Sequence, residues 1–141
     1  MSSRNRQAAF GEGVQRDFVL DDAMAFQQLM LGLYGHRCAV TGRRADVEAL
    51  EVFLFQPFDH GGMMVPSNSL VVEPAVASLL ARGLILISDE YRAYTPHPEI
   101  VGVARPAEEP AAGRALMLPE DVAMWPEKAM IGYHRSLFRA Q

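Results

Sequence analysis

Three blocks of sequence decide the fold of this chain: YGHRCAVTG at 34–42, LEVFLFQPF at 50–58 and NSLVVEPAVASLLARGL at 68–84. The second block holds the apolar run VFLF, which favours a strand over 49–56 with both faces buried, ended by Pro57. In the third block, Pro74 suits the first turn of a helix over 73–81, and Gly83 lies just beyond its end. The blocks therefore predict a buried strand, a loop and a short helix.

An amphipathic helix is predicted before the first block. Its apolar side chains recur at steps of three and four residues: Phe26, Leu29, Met30 and Leu33. Asp21 or Asp22 can accept hydrogen bonds from the free N–H groups at its start, and Gly35 can end it. The small, polar residues 1–16 before this helix are predicted to be poorly ordered.

Short β-prone segments flank the second and third blocks. A strand is predicted at 37–41, and the segments 84–88 and 91–95 predict a β-hairpin. Prolines and a glycine across 102–119 indicate a connecting loop, after which Pro126 suits the first position of a last helix. Together these elements predict an α+β fold.

The three blocks resemble the HNH nuclease family, in the subgroup whose frame reads roughly YG.RCAVTG, LEAAHI.PF and NGLLLSP.LH.LFD.GL. The resemblance covers about residues 26–96, with a weaker likeness in WPEKAMIGYHRSLF at 125–138. It implies a ββα-metal core, in which a β-hairpin packs on a short helix. The other elements would then be an N-terminal helix, a second β-hairpin and a C-terminal helix, all within one domain over 17–141.

The positions that perform the chemistry in this family carry apolar residues here. Leu54 stands where the family has its first His, Ala77 where it has the metal-binding His, and Ala81 where it has the Asp of LFD. In the family, the first His deprotonates a water, and the metal stabilises charge on the phosphate. Hydrocarbon side chains offer neither a lone pair nor a proton for these tasks. The resemblance therefore implies a pseudoenzyme with no metal and no other cofactor.

A few polar residues near these positions remain candidates for chemistry. Asn68 matches an Asn of the family frame, but a turn residue that bonds its own backbone is the favoured interpretation. Asp59 and His60 could offer a carboxylate and an imidazole to a metal, although they lie in a glycine loop past the family's His position. An exposed loop histidine is the alternative interpretation of His60.

The charge of the chain limits its partners. The net charge is -4, and between residues 20 and 100 five arginines stand against ten aspartates and glutamates. Nucleic-acid surfaces usually carry a basic excess, so this balance favours a protein partner over DNA. Arg43, Arg44 and Arg82 are nevertheless candidates for phosphate contacts, with ordinary solvated arginine as the equal alternative.

The cysteine and apolar content exclude several classes of protein. The single cysteine, Cys38, excludes an intrachain disulfide and a C-x-x-C zinc knuckle, and is predicted to be a buried small hydrophobe. No apolar run reaches the roughly 20 residues that span a bilayer, and the N-terminus is not a secretory signal, so a cytoplasmic protein is expected. Met63, Met64 and Val65 form a short apolar run that either packs in the core or offers a patch to a partner.

Three functions are consistent with these features. The favoured one is a catalytically inactive, HNH-like binding or scaffold module with a protein partner. The second is a divergent metal-dependent endonuclease with a relocated site of Asp59, His60 and Asn68. The third is a small-molecule pocket lined by Leu54, Ala77 and Ala81. Neither the partner nor the oligomeric state follows from the sequence.

Overall fold

A computed structural model describes residues 12–46, 49–97 and 113–139, with side chains from Asp22 onward. Predictions for residues 1–11 and for 102–112 of the connecting loop lie outside the described residues. The elements are α1 (Glu12–Leu33), β1 (Glu51–Leu54), β2 (Ser69–Val72), α2 (Pro74–Ala81), β3 (Leu86–Ile87), β4 (Arg92–Tyr94), β5 (Arg114–Ala115) and α3 (Lys128–Ser136). Mixed helices and antiparallel strands confirm the predicted α+β class.

The first sheet is the antiparallel pair of β1 and β2, in a register that places Leu54 opposite Ser69 and Glu51 opposite Val72. The strand β1 is shorter than the predicted 49–56, and its apolar residues are only half-buried, so the predicted burial of both faces was wrong. The reason is that Val52 and Leu54 line a groove beside α1, which leaves them partly exposed. Phe55, just past β1, is fully buried instead.

The helix α1 begins earlier than predicted. It starts at Glu12, so Asp21 and Asp22 lie inside it and neither is its N-cap. An aspartate within a helix costs only a few tenths of a kcal/mol relative to alanine, up to about 0.7, so neither of these residues stops the helix. The predicted end is confirmed, because α1 stops at Leu33 and Gly35 adopts a left-handed φ of 62°.

The apolar face of α1 also differs in one position from the prediction. Met30 is fully buried, and Phe26 and Leu33 pack against the core. Leu29, predicted on the same face, is 51% exposed.

The predicted strand at 37–41 is a tight turn. Arg37 and Arg44 form an isolated antiparallel bridge, and Gly42 closes the turn with a φ of 77°. The Ala39 N–H donates to the Val71 carbonyl, which attaches this turn to the far edge of β2. Cys38 is fully buried within it, as predicted.

The second sheet has three strands in the order β3-β4-β5. The predicted hairpin is confirmed by the pairing of Leu86 with Tyr94 and of Ile87 with Ala93. The third strand, β5, lies within the predicted connecting loop 102–119 and was missed. Two residues are too few to show the alternation that identifies a strand.

The helix α3 closes the core. Its first residue is Lys128 and its N-cap is Glu127, so Pro126 precedes the helix and does not occupy its first position. The residues that α3 buries are Ile131 and His134. The rings of Phe53 and Phe55 lie edge-on to His134, at centroid distances of 5.4 and 5.8 Å.

The faces of β1 therefore have different neighbours. Phe53 and Phe55 contact His134 of α3, whereas Val52 and Leu54, which alternate with them, face α1. Within the described part of the chain, no helix is long and apolar enough to cross a membrane.

Candidate functional site at the β1–β2 loop

The loop between β1 and β2 is the region where the resemblance places the chemistry. It turns through a 3-10 helix at Phe58–His60, which ends at Gly61 with a left-handed φ of 86°. A second 3-10 helix at Pro66–Asn68 returns the chain to β2. The Phe55 N–H donates to the Asn68 carbonyl at 3.0 Å and extends the ladder past Leu54.

The three apolar residues that the resemblance places at catalytic positions differ in their surroundings. Leu54 is half-buried and lines a groove of about 300 Å³ between α1 and β1. Ala77 is buried in α2, and Ala81 is exposed in the last turn of α2. Neither alanine lines the groove, so the three residues do not form a common pocket there.

Asn68 is buried, and its amide is fully used by the backbone. Its Oδ1 accepts from the Gln56 N–H at 2.9 Å. Its Nδ2 donates to the carbonyls of Gln56 at 3.0 Å and Met63 at 3.1 Å. The predicted bonds to its own turn are thus replaced by bonds across the whole loop. Asn68 holds the two ends of the loop together and has no free donor for another side chain.

Replacing Asn68 with alanine is expected to lower the free energy of unfolding by about 2–4 kcal/mol, because three hydrogen bonds of a buried side chain to the backbone of Gln56 and Met63 are lost. Urea unfolding followed by circular dichroism measures this loss. The control is Ser67→Ala in the same 3-10 helix, since the described contacts include no side-chain hydrogen bond of Ser67. Equal losses in the two variants would contradict the bracing role.

The residues of the predicted relocated nuclease site differ in their exposure and in their contacts. His60 is exposed, and its Nδ1 lies 2.8 Å from the Tyr133 hydroxyl. Asp59 is also exposed, whereas Asn68 is buried and points into the loop. Across residues 12–46, 49–97 and 113–139, no group of three His, Cys, Asp or Glu side chains could hold a metal ion.

The predicted phosphate-binding arginines differ in what they contact. The Arg43 guanidinium donates to both oxygens of Glu73, from Nε at 3.0 Å and from Nη2 at 2.7 Å. Hydrogen bonds from Arg43 hold the pKa of the Glu73 carboxyl below its ordinary value, and Thr41 donates to the same carboxylate. Arg44 and Arg82 are exposed. Phosphate contact by the three arginines stays a prediction.

His134 is a buried titratable group on α3. Its Nε2 lies 2.7 Å from the Leu80 carbonyl, so Nε2 carries the proton and donates. Among the described residues, no group hydrogen-bonds to its buried Nδ1. Burial lowers the pKa of His134 below its ordinary 6.5; the hydrogen bond to the Leu80 carbonyl opposes this in part, and Arg135 adds a smaller lowering effect.

The free energy of unfolding is expected to fall as the pH drops from about 7.5 to about 5.5. The reason is that His134 has a lower pKa in the folded than in the unfolded chain, so protonation favours the unfolded chain. The lowered pKa of the folded state makes this contribution complete above pH 6.5 and smaller below it. Glu73 titrates below 4.5 and leaves this window unaffected. Urea unfolding at both pH values should show a weaker dependence in His134→Phe than in His36→Phe, an exposed control.

Apolar side chains are exposed around this loop. Phe58 is 63% and Met63 is 66% exposed, while Met64 lines the groove beside Leu54. Of the predicted run at 63–65, Met63 therefore faces solvent, and Met64 and Val65 are half-buried. The groove continues along α1 through Ala23, Phe26 and Gln27 and along β1 through Leu50, Glu51 and Val52.

Comparisons with known proteins support the fold alone. No family model matches the chain, and no curated protein matches it. Among solved structures it is similar to a modification-dependent TagI restriction endonuclease, with a TM-score of 0.54 and 23% sequence identity. The match covers 77% of this chain and 35% of that one, so the chain spans about a third of the length of that structure. The fold of this chain is thus similar to part of a restriction endonuclease.

Proposed function

We propose that this chain is a catalytically inactive, nuclease-like module that acts by binding a protein partner. The observation that carries this proposal is the state of the loop between β1 and β2. The loop is closed and braced by Asn68, while Leu54 lies at its start in place of a general base. A nuclease needs a titratable group and a metal ligand at this place, and hydrocarbon provides neither.

The divergent endonuclease is the weaker candidate because the polar side-chain atoms of His60 and Asn68 contact other groups. His60 is held by the Tyr133 hydroxyl at the surface. All three hydrogen bonds of the Asn68 amide go to the backbone, so it has no donor left to orient an imidazole. A metal ligand set requires placement within a few tenths of an ångström, which an exposed loop pair does not supply.

Charge and pairing favour a protein over a nucleic acid. The chain carries 13 basic and 17 acidic residues. Arg43, one of the three arginines predicted to contact phosphate, donates two hydrogen bonds to the Glu73 carboxylate. Binding to DNA depends on neutralising phosphates with free cations, so the balance of charge works against it.

Purified chain is expected to leave supercoiled plasmid intact in Mg²⁺ or Mn²⁺, because Leu54 itself cannot activate a water and, across the described residues, no group of three His, Cys, Asp or Glu side chains could hold the metal ion. Gel electrophoresis of the plasmid after incubation measures this. His60→Ala and His36→Ala, two exposed histidines, are the matched pair. Cleavage that disappears in His60→Ala and persists in His36→Ala would overturn the proposal in favour of the endonuclease.

Binding to duplex DNA provides the second test of the proposal. A gel shift at near-physiological salt is expected to show no complex, given the net charge of -4. A complex that weakens with salt and is lost in Arg44→Glu with Arg82→Glu would instead assign the partner as nucleic acid. That result would reject the protein partner but not the proposed lack of catalytic activity.

A further inference from the structure

The outer edge of β1 has no paired strand among the described residues. Within the described residues, β1 pairs with β2 alone. Phe55 donates its N–H to Asn68 of the β2 side, so the backbone groups of Phe53 and Glu51 face β2 as well. Those of Val52 and Leu54 alternate with them and point to the outer edge. An edge of this kind is a template for another strand.

Contacts at the other edge of the sheet, on β2, support the outward direction of the Val52 and Leu54 backbone groups. Val71 is the partner of Val52 across the pair, and the Val71 carbonyl accepts from Ala39 on the far side of β2. Val52 and Val71 are therefore a pair without mutual hydrogen bonds, and their backbone groups point in opposite directions. The turn at 37–44 covers the edge of β2, whereas no described strand covers the edge of β1.

An apolar groove runs beside this outer edge. Its volume is about 300 Å³, enough for one or two large side chains. One wall is α1, through Ala23, Phe26 and Gln27, and the other is β1 with its flanks. Met64, from the loop after β1, also lines the groove, and the neighbouring Met63 is 66% exposed.

The charges around the groove have one sign. Glu51 lines it and is exposed, and it forms no ion pair within the described residues. Asp22, next to Ala23 on α1, is also exposed. The sequence contains no Lys or Arg from 17 to 35 or from 45 to 65, so neither wall supplies a cation.

We propose that an extended segment of a partner protein adds to the outer edge of β1 as a third strand. Its main chain bonds to the backbone groups of Val52 and Leu54, one of its apolar side chains enters the groove, and a Lys or Arg lies beside Glu51. This inference rests on the proposed function and names the surface and chemistry of the partner. A second copy of this chain fits poorly, because its own β1 would bring another glutamate and no cation.

The test uses a phage-displayed library of random linear peptides about ten residues long, the length of a strand with its flanks. The full chain is immobilised and selects the peptides, and the most enriched one is then synthesised. Expected peptides alternate apolar and polar residues and carry a Lys or Arg. Absence of enrichment, or enriched peptides without basic residues, would overturn the proposal.

Two variants on α1 locate the binding. Ala23→Arg places a cation in the groove. It is expected to lower the affinity for the synthetic peptide about tenfold or more, as measured by fluorescence anisotropy. Ala25→Arg makes the same change at an exposed position that does not line the groove, and should leave the affinity unchanged. Equal affinities for Ala23→Arg and wild type would place the peptide elsewhere and reject this surface.

Amide hydrogen exchange by NMR tests the strand itself. Peptide binding should slow exchange at Val52 and Leu54 and leave Phe53, already bonded to β2, little changed. Sedimentation of the chain alone checks self-association, and a dimer abolished by Ala23→Arg would overturn the assignment to a partner protein. If these binding tests fail while the plasmid assay shows no cleavage, only the added strand is rejected. If the chain cleaves the plasmid, the proposed function itself is rejected.

Discussion

Replacing Phe55 with alanine is expected to lower the free energy of unfolding by about 3–5 kcal/mol. Phe55 has no exposed surface, and its ring lies edge-on to Phe53 at 5.5 Å and to His134 at 5.8 Å. The loss combines the transfer of a large ring to water with the cavity that it leaves between β1 and α3. Guanidinium unfolding followed by fluorescence measures the change.

Phe58→Ala is the matched control for this prediction. Phe58 lies three residues further along the same chain segment and is 63% exposed, so its removal should change the free energy of unfolding by less than about 0.5 kcal/mol. A Phe58 variant as unstable as the Phe55 variant would mean that the exposed ring, too, packs in the core. A stable Phe58 variant with a weaker affinity for the selected peptide would extend the proposed binding surface to the loop.

Replacing Gly62 with alanine is expected to cost about 3 kcal/mol or more, because the new methyl group has no space. A Cβ at Gly62 would lie 1.7 Å from the Gln56 carbonyl oxygen and 2.9 Å from that of Pro57. The Gln56 oxygen is also an acceptor for the Asn68 amide, so its displacement breaks the brace of the loop. Thermal unfolding of the purified variant measures the effect.

Gly61→Ala provides the comparison for the Gly62 variant. A Cβ at Gly61 meets only the Gln56 side chain, at 3.7 Å, but the left-handed φ of 86° remains unfavourable for alanine. Its cost should stay near 1–2 kcal/mol, roughly that of one residue in this conformation. A larger effect at Gly61 than at Gly62 would contradict the steric account of the loop.

The sequence predicted best those elements that short-range rules determine. Pro74 and Gly83 bracket α2 as expected, because proline fits the first turn of a helix and glycine tolerates a left-handed φ. The hairpin of β3 and β4 followed from two apolar segments on either side of a turn. The start of α1 was predicted too late, because an aspartate can lie inside a helix as well as at its N-cap. The strand β5 was missed, because two residues are too few to show an alternating pattern.

The candidate site was predictable only in part, for a different physical reason. The interest in Leu54, Ala77 and Ala81 came from the resemblance of three sequence blocks to a known family. The role of Asn68 depends on Gln56, twelve residues away, which only the closed loop brings within 2.9 Å. The groove arises where α1 approaches β1, and no local pattern records the distance between two elements separated along the chain.

The burial of Cys38 has a consequence for measurement. It is the chain's single cysteine and has no exposed surface, so its thiol should be inaccessible to maleimide dyes in the folded state. A thiol introduced by Met63→Cys, at a side chain that is 66% exposed beside the groove, would then carry a fluorophore at one chosen position. Energy transfer from that dye to a labelled peptide would report docking without removal of the native thiol.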